Sequence, residues 1–329
     1  MPTEVFRSLD AVAESVSQQL PSDIPFHGLL AADLTLDKTN KFTSWNAVFP
    51  TTTDFEASMP FMWPKELQNL LPKPAKDLLE KQQAKFQREW DTVAKAFPHM
   101  RREEYLHSWL VVNTRTFYYV TPKMERFLPE DRLAMLPVAD LFNHADSGCQ
   151  VSFAPESFTI KADRAYRTGE EVYVSYGGHS NDFLLAEFGF VLVKNQWDEV
   201  CLDDVILPNL DGMQKAELEN RGYLGNYMLN AETAGCHRTQ VVLRLLCCTP
   251  RQWCSFVHAE DDGEASQGMV DALLMQLLER YLETIEKTLG KIEKLNVGLG
   301  TQHELLTRRW KQIQTMIAQT IKRLRIKQD

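Results

Sequence analysis

Cysteine is scarce and its spacing excludes a structural zinc. The 329 residues hold six, Cys149, Cys201, Cys236, Cys247, Cys248 and Cys254, and no two stand in a Cys-x-x-Cys relation. Tetrahedral zinc sites draw their ligands from such paired spacings, so the expectation is free thiols, no metal and an intracellular chain. Long apolar runs are lacking too. No stretch of eighteen apolar residues and no N-terminal apolar core occur, which argues against a membrane span and a secretory signal. Positive charge is not in surplus: the net charge is -9, with basic residues gathered only near the end, in Lys311 and between Lys322 and Lys327. General nucleic-acid binding rests on clustered Lys and Arg, so no nucleic-acid partner is expected. Glycine is sparse at the start, the first being Gly28.

What is present is an ordinary globular composition, 44% hydrophobic and 25% charged, on a chain long enough for two domains. Ser8 or Asp10 could cap a short helix with Val12, Val16 and Leu20 inward. Residues 24–36 read as a buried helix, and 45–63 as a turn-rich passage punctuated by Pro50 and Pro60. From Pro74 to Phe97, Leu78, Leu79, Phe86, Trp90, Val93 and Phe97 recur at helical spacing, and Pro98 stops the run. A further helix is predicted over 102–120, with Tyr105, Trp109, Leu110 and Val112 inward.

Between residues 151 and 176 the pattern changes to short strands, VSFAP, SFTIKA and EVYVSY, with Gly169 in a turn. After Trp197 it becomes helical again over 218–229, 240–248, 269–295 and 301–326, and NVGLG at 296–300 closes the last two into an antiparallel hairpin. A small β centre among helices gives an α+β class with small antiparallel sheets.

Chemistry concentrates between Pro137 and Leu192. Asp140, Leu141, Phe142, Asn143 and His144 are followed about 30 residues later by GEEVYVSYGG at 169–178, then by Ala186, Glu187, Phe188, Gly189 and Phe190. In order and spacing these resemble the C-terminal half of a SET domain, the fold of protein-lysine methyltransferases that use S-adenosyl-L-methionine. NAVFPTTTDFEASMPFMWPKELQNLLP, at 46–72, resembles the helical insertion of one branch, the Rubisco large-subunit methyltransferase-like proteins.

The resemblance implies a SET domain over 1–199 with the insertion at about 24–112, and a helical substrate-binding lobe over 200–329. It implies Tyr176 as the catalytic residue, its hydroxyl beside the transferring methyl group. It places Asn143, His144, Asp140, Thr114, Arg115 and Phe188 at the cofactor, and Tyr173 and Phe190 along an aromatic substrate channel. Phe188 stands where many relatives carry tyrosine, and the missing hydroxyl would permit more methyl groups to be added.

The family's Gly-x-Gly cofactor turn, on strands ahead of the insertion, has no counterpart before Gly28. The resemblance therefore begins after those first strands. Two functions stay open: methyl transfer to a lysine amine of a non-histone protein, with histidine as a second acceptor type, and a catalytically inactive SET remnant that binds a protein. Either implies a protein partner, a monomer and no membrane, in the cytoplasm with the nucleus as a second compartment.

Overall fold

The computed structural model describes residues 6–39, 41–154 and 157–328. It divides into two compact units, one of residues 1–62, 77–179 and 185–192, the other of 63–76, 180–184 and 193–329.

The first unit is built on two helices that are deeply buried over a continuous stretch of each. Phe26–Leu36 buries every residue from Phe26 to Asp33, and Arg102–Arg115 buries Tyr105 and Ser108 to Val112. Phe86, on the long Lys73–Ala96 helix, meets Trp109 edge-on at 5.5 Å and stacks on Tyr105 at 5.8 Å. The Trp109 indole N–H donates to Glu89 Oε2 at 2.6 Å, so this buried donor is satisfied. Thr51 and Asp54 form a capping box that starts the Thr52–Ser58 helix.

The first five strands lie in the same unit. β1 (Thr116–Tyr118) pairs antiparallel with β2 (Leu133–Met135). β3 (Asn143–Ala154) pairs antiparallel with β4 (Ser157–Lys161) and parallel with β5 (Tyr173–Val174). In that parallel contact Asn143 faces Tyr173 and His144 faces Val174, and the register then slips before Cys149. The reading of 102–120 as one helix needs correction: the helix ends at Arg115, because the β-branched and aromatic run from Thr116 finds a partner strand at Leu133–Met135. The N-terminal helix shrinks to one turn, Glu14–Ser17, and the Ser8 side chain makes no cap bond. Pro155 of the VSFAP segment, and the first five residues, lie outside the described residues.

The second unit is helical. Gln267–Lys294 and Gly300–Gln328 form the hairpin, with Leu277, Tyr281, Ile285 and Ile292 buried on one helix and Leu306, Trp310, Ile313, Ile317, Ile321 and Leu324 on the other. Gly298 makes the turn at φ +90°, where a Cβ would come within 2.6 Å of Leu67. The helix expected over 218–229 is displaced to Gly212–Asn220, started by an Asp211–Gln214 capping box. Residues 228–230 instead form β7, antiparallel to β6 (Glu199–Cys201). Gly222 and Gly225, both at φ +74°, turn the chain out of the helix between them.

Arg309 is wholly buried in this unit. Its Nε and Nη1 lie 2.7 Å from Asp182 Oδ1 and Asp198 Oδ2, and Nη2 donates to Glu199 O at 3.1 Å. Two carboxylates thus converge on one planar guanidinium.

Candidate active site

β3 begins at Asn143, and alternation along a strand sends neighbouring side chains to opposite faces. His144 points inward and is 5% exposed, whereas Asn143 faces solvent. Tyr176, two residues beyond β5, returns to the inward residue. The His144 and Tyr176 rings stack with centroids 5.0 Å apart and planes at 29°. The Tyr176 backbone N–H donates to His144 Nδ1 at 3.0 Å, which leaves the neutral ring's proton on Nε2. The Tyr176 hydroxyl donates to Phe142 O at 2.7 Å.

Phe188 adds a wall 5.1 Å from Tyr176, and Phe190 another 6.1 Å from His144. Gly189 between them adopts φ +76°, and a Cβ there would stand 2.9 Å from the Ser58 carbonyl, so only glycine passes. Asn113 Nδ2 donates to Glu187 Oε2 at 3.0 Å and holds this segment against the Arg102–Arg115 helix.

Beside the aromatic cluster lies a charged pair. Arg115 Nη1 donates to the Asp140 carbonyl at 2.6 Å and stands 3.8 Å from the Asp140 carboxylate. Asp140 Oδ2 accepts from the Trp45 indole N–H at 2.8 Å. Arg115 Nε and Asp140 Oδ1 are buried and have no hydrogen-bond partner. Leaving such groups unmatched costs about 1–3 kcal/mol each, so they mark a place built for polar occupancy. Two residues before Asp140, Val138 is held at φ 70°, a costly conformation for a β-branched residue.

Burial pushes the Asp140 carboxyl up, against the Trp45 hydrogen bond and the Arg115 charge that pull it down. Burial likewise raises the Tyr176 phenol, with Arg115 opposing and Asp140 reinforcing, so the hydroxyl stays protonated at neutral pH.

Burial lowers the His144 pKa below its ordinary 6.5, with His179 acting in the same direction and a backbone hydrogen bond at Val174 and the Asp146 charge opposing. The unfolded chain therefore binds more protons than the folded one between the two values. The stability that neutral His144 contributes is complete above about pH 6.5 and is lost as the pH falls through the lowered folded value. Denaturant midpoints measured at about pH 7.5 and about pH 5 should differ less in His144→Gln than in the parent chain; equal differences would exclude His144 as a source of the acid sensitivity.

Tyr176, His144, Phe188, Phe190, Arg115 and Asp140 thus come together in the structure. Three expected side chains do not join them. Asn143 Nδ2 and the Tyr173 hydroxyl bind the two oxygens of exposed Glu171 at 2.6 and 2.7 Å. The parallel register sets Asn143 opposite Tyr173, so both share the outward face. The Thr114 hydroxyl donates to Leu110 O at 2.8 Å, back into its own helix. Sequence reading missed Trp45 and the Phe142 carbonyl. Trp45 reaches Asp140 across 95 positions, and no local pattern marks it.

The fold has solved counterparts. The SET domain of LSMT bound to lysine and AdoHcy aligns over 100% of this chain and 81% of its own, with TM-score 0.61 and 14% identity. Rubisco LSMT bound to AdoMet aligns over 98% and 82%, with TM-score 0.57 and 15% identity. Among curated proteins, Ribosomal lysine N-methyltransferase set11 of Schizosaccharomyces pombe is 28% identical over 217 residues, 62% of this chain and 55% of that protein. The chain has a SET-domain fold, similar to that of Rubisco LSMT. Ribosomal lysine N-methyltransferase 2 of Saccharomyces cerevisiae is 27% identical to this SET-domain chain over 224 residues, 60% of it and 46% of the relative. Human SET domain-containing protein 4 is 30% identical over 205 residues, 55% and 46%. The SET-domain chain spans about half the length of these curated relatives. No family model matches it.

Proposed function

We propose that the Tyr176 pocket transfers a methyl group from S-adenosyl-L-methionine to the side-chain amine of a lysine in a non-histone protein. The observation that carries this reading is the convergence of His144, Tyr176, Phe188 and Phe190 into one aromatic cluster beside the unpartnered Arg115 Nε and Asp140 Oδ1. The residues present fit the cofactor: Arg115 suits its α-carboxylate, Asp140 its ammonium, and the aromatic faces its sulfonium. When bound, the cofactor supplies an electrophilic methyl group on positively charged sulfur.

The protein's own task is geometric and electrostatic. A lysine amine must be neutral to attack, and deprotonating it at pH 7 costs roughly 4.6 kcal/mol from a reference pKa near 10.4. Aromatic walls disfavour the ammonium form and lessen that cost. The Tyr176 proton is committed to Phe142 O, so the phenol oxygen keeps lone pairs to accept an amine N–H and aim the nitrogen's own lone pair. Two relatives bear the name ribosomal lysine N-methyltransferase, which supports ribosomal protein as the first acceptor to assay. A monomeric chain acting in the cytoplasm, with the nucleus as a second compartment, completes the proposal; its six free cysteines support an intracellular setting.

Calorimetric titration of the folded chain with S-adenosylhomocysteine is expected to give saturable one-to-one binding. Absence of heat at millimolar ligand would remove the enzymatic reading and leave a SET fold that serves to hold a protein.

A further inference from the structure

Trp45 looks at first like ordinary core. It is 8% exposed and packs edge-on against Phe42 at 5.5 Å and Phe49 at 5.6 Å. The Arg7 guanidinium lies 4.2 Å over the Phe42 ring, bonds Asp37 Oδ2 at 2.7 Å and reaches Asn46 Oδ1 at 3.3 Å, so the short Thr43–Asn46 helix that carries Trp45 is fastened on several sides. Packing alone would be served by any large aromatic ring. The indole N–H does something a phenyl ring cannot: it is the hydrogen bond on the Asp140 carboxylate. That carboxylate has its other oxygen unmatched and Arg115 at 3.8 Å, too far for a direct hydrogen bond.

We propose that Trp45 is a positioning residue for the cofactor's amino-acid end: its indole N–H fixes the Asp140 carboxylate, and Asp140 in turn fixes Arg115, whose guanidinium receives the cofactor carboxylate. The inference rests on the cofactor reading above and adds to it a residue of the insertion, remote in sequence. The chain of contacts is short and directional. Asp140 holds Arg115 through its backbone carbonyl at 2.6 Å, while the Trp45 hydrogen bond favours the ionised form of a carboxyl that burial pushes up. Without the indole N–H, burial favours the neutral acid, the field on Arg115 drops, and the guanidinium keeps only its neutral carbonyl anchor.

The test compares two ligands on parent and Trp45→Phe chains by calorimetry: S-adenosylhomocysteine, which carries the α-carboxylate and amine, and 5′-methylthioadenosine, which lacks both. A hydrogen bond to a charged group is worth about tenfold or more in affinity. Trp45→Phe is therefore expected to weaken S-adenosylhomocysteine roughly tenfold and to leave methylthioadenosine within about twofold. Trp45→Met, which likewise removes the indole N–H and leaves Asp140 in place, should show the same selective loss and carries the test if the Trp45→Phe chain does not fold. Equal weakening of both ligands means a loosened pocket and overturns the inference, as does no weakening of either. A parent chain that binds neither ligand would instead overturn the cofactor reading, and this inference with it.

Discussion

Tyr176→Phe is expected to slow methyl transfer by roughly 10²–10³-fold, the usual cost of removing one preorganised polar group from a reacting centre. Binding of S-adenosylhomocysteine should stay within about twofold, because in the proposed mechanism the hydroxyl acts on the amine and not on the ground-state cofactor. The structure gives reasons to expect that separation. The phenol ring packs between His144 and Phe188, and phenylalanine preserves both contacts. The backbone bond from Tyr176 N to His144 Nδ1 does not involve the side chain. What disappears is the oxygen and its bond to Phe142 O, leaving one half-buried carbonyl to water. The measurement is single-turnover transfer of labelled methyl from S-adenosylmethionine to ribosomal protein. A rate within about threefold of the parent's would remove Tyr176 from the chemistry. A parallel fall in cofactor affinity would make the residue structural.

The second large effect concerns stability. Arg309→Met should destabilise the helical unit by about 3–5 kcal/mol, because it strands Asp182 and Asp198 as buried carboxylates with no counter-charge. At the thermal midpoint that corresponds to a drop of roughly 6–20 °C. The loss comes from the partners left behind more than from the pair itself. Adding Asp182→Asn and Asp198→Asn to Arg309→Met should therefore recover a good part of it. Arg309→Lys keeps the charge but cannot address two carboxylates and the Glu199 carbonyl at once, so it should fall between. Hydrogen exchange along Gln267–Lys294 and Gly300–Gln328 reads the effect where it arises. Loss of less than about 1 kcal/mol in Arg309→Met would show that the charges are relieved by water or by protonation.

Much of the architecture was legible where one periodic face meets one core. The stripe from Leu306 to Leu324 is buried as its spacing requires, and Pro98 ends its helix where proline must. Legibility failed where a segment's fate depends on a distant partner. Thr116–Tyr118 continues a helical pattern, yet becomes strand because Leu133–Met135 offers it a ladder. Met228–Asn230 does the same opposite Glu199–Cys201. In the site, the Asn-His pair and the tyrosine were recognisable from order and spacing. Their orientation was not. One-residue alternation turns Asn143 outward while His144 turns in, and the parallel register that carries Tyr173 outward with it leaves no local trace. Trp45 was read as part of a turn-rich passage, since nothing near it in the chain hints at a carboxylate partner.

The aromatic pocket closes late. Its unit is completed by residues 185–192, after the chain has left it at 179, and those eight residues carry Phe188 and Phe190. On a ribosome the imidazole and phenol would emerge before the walls that shield them. Fragments that stop short of residue 188 should display a half-built, sticky cleft, a natural target for chaperones, and cutting the gene at one point cannot release either unit whole.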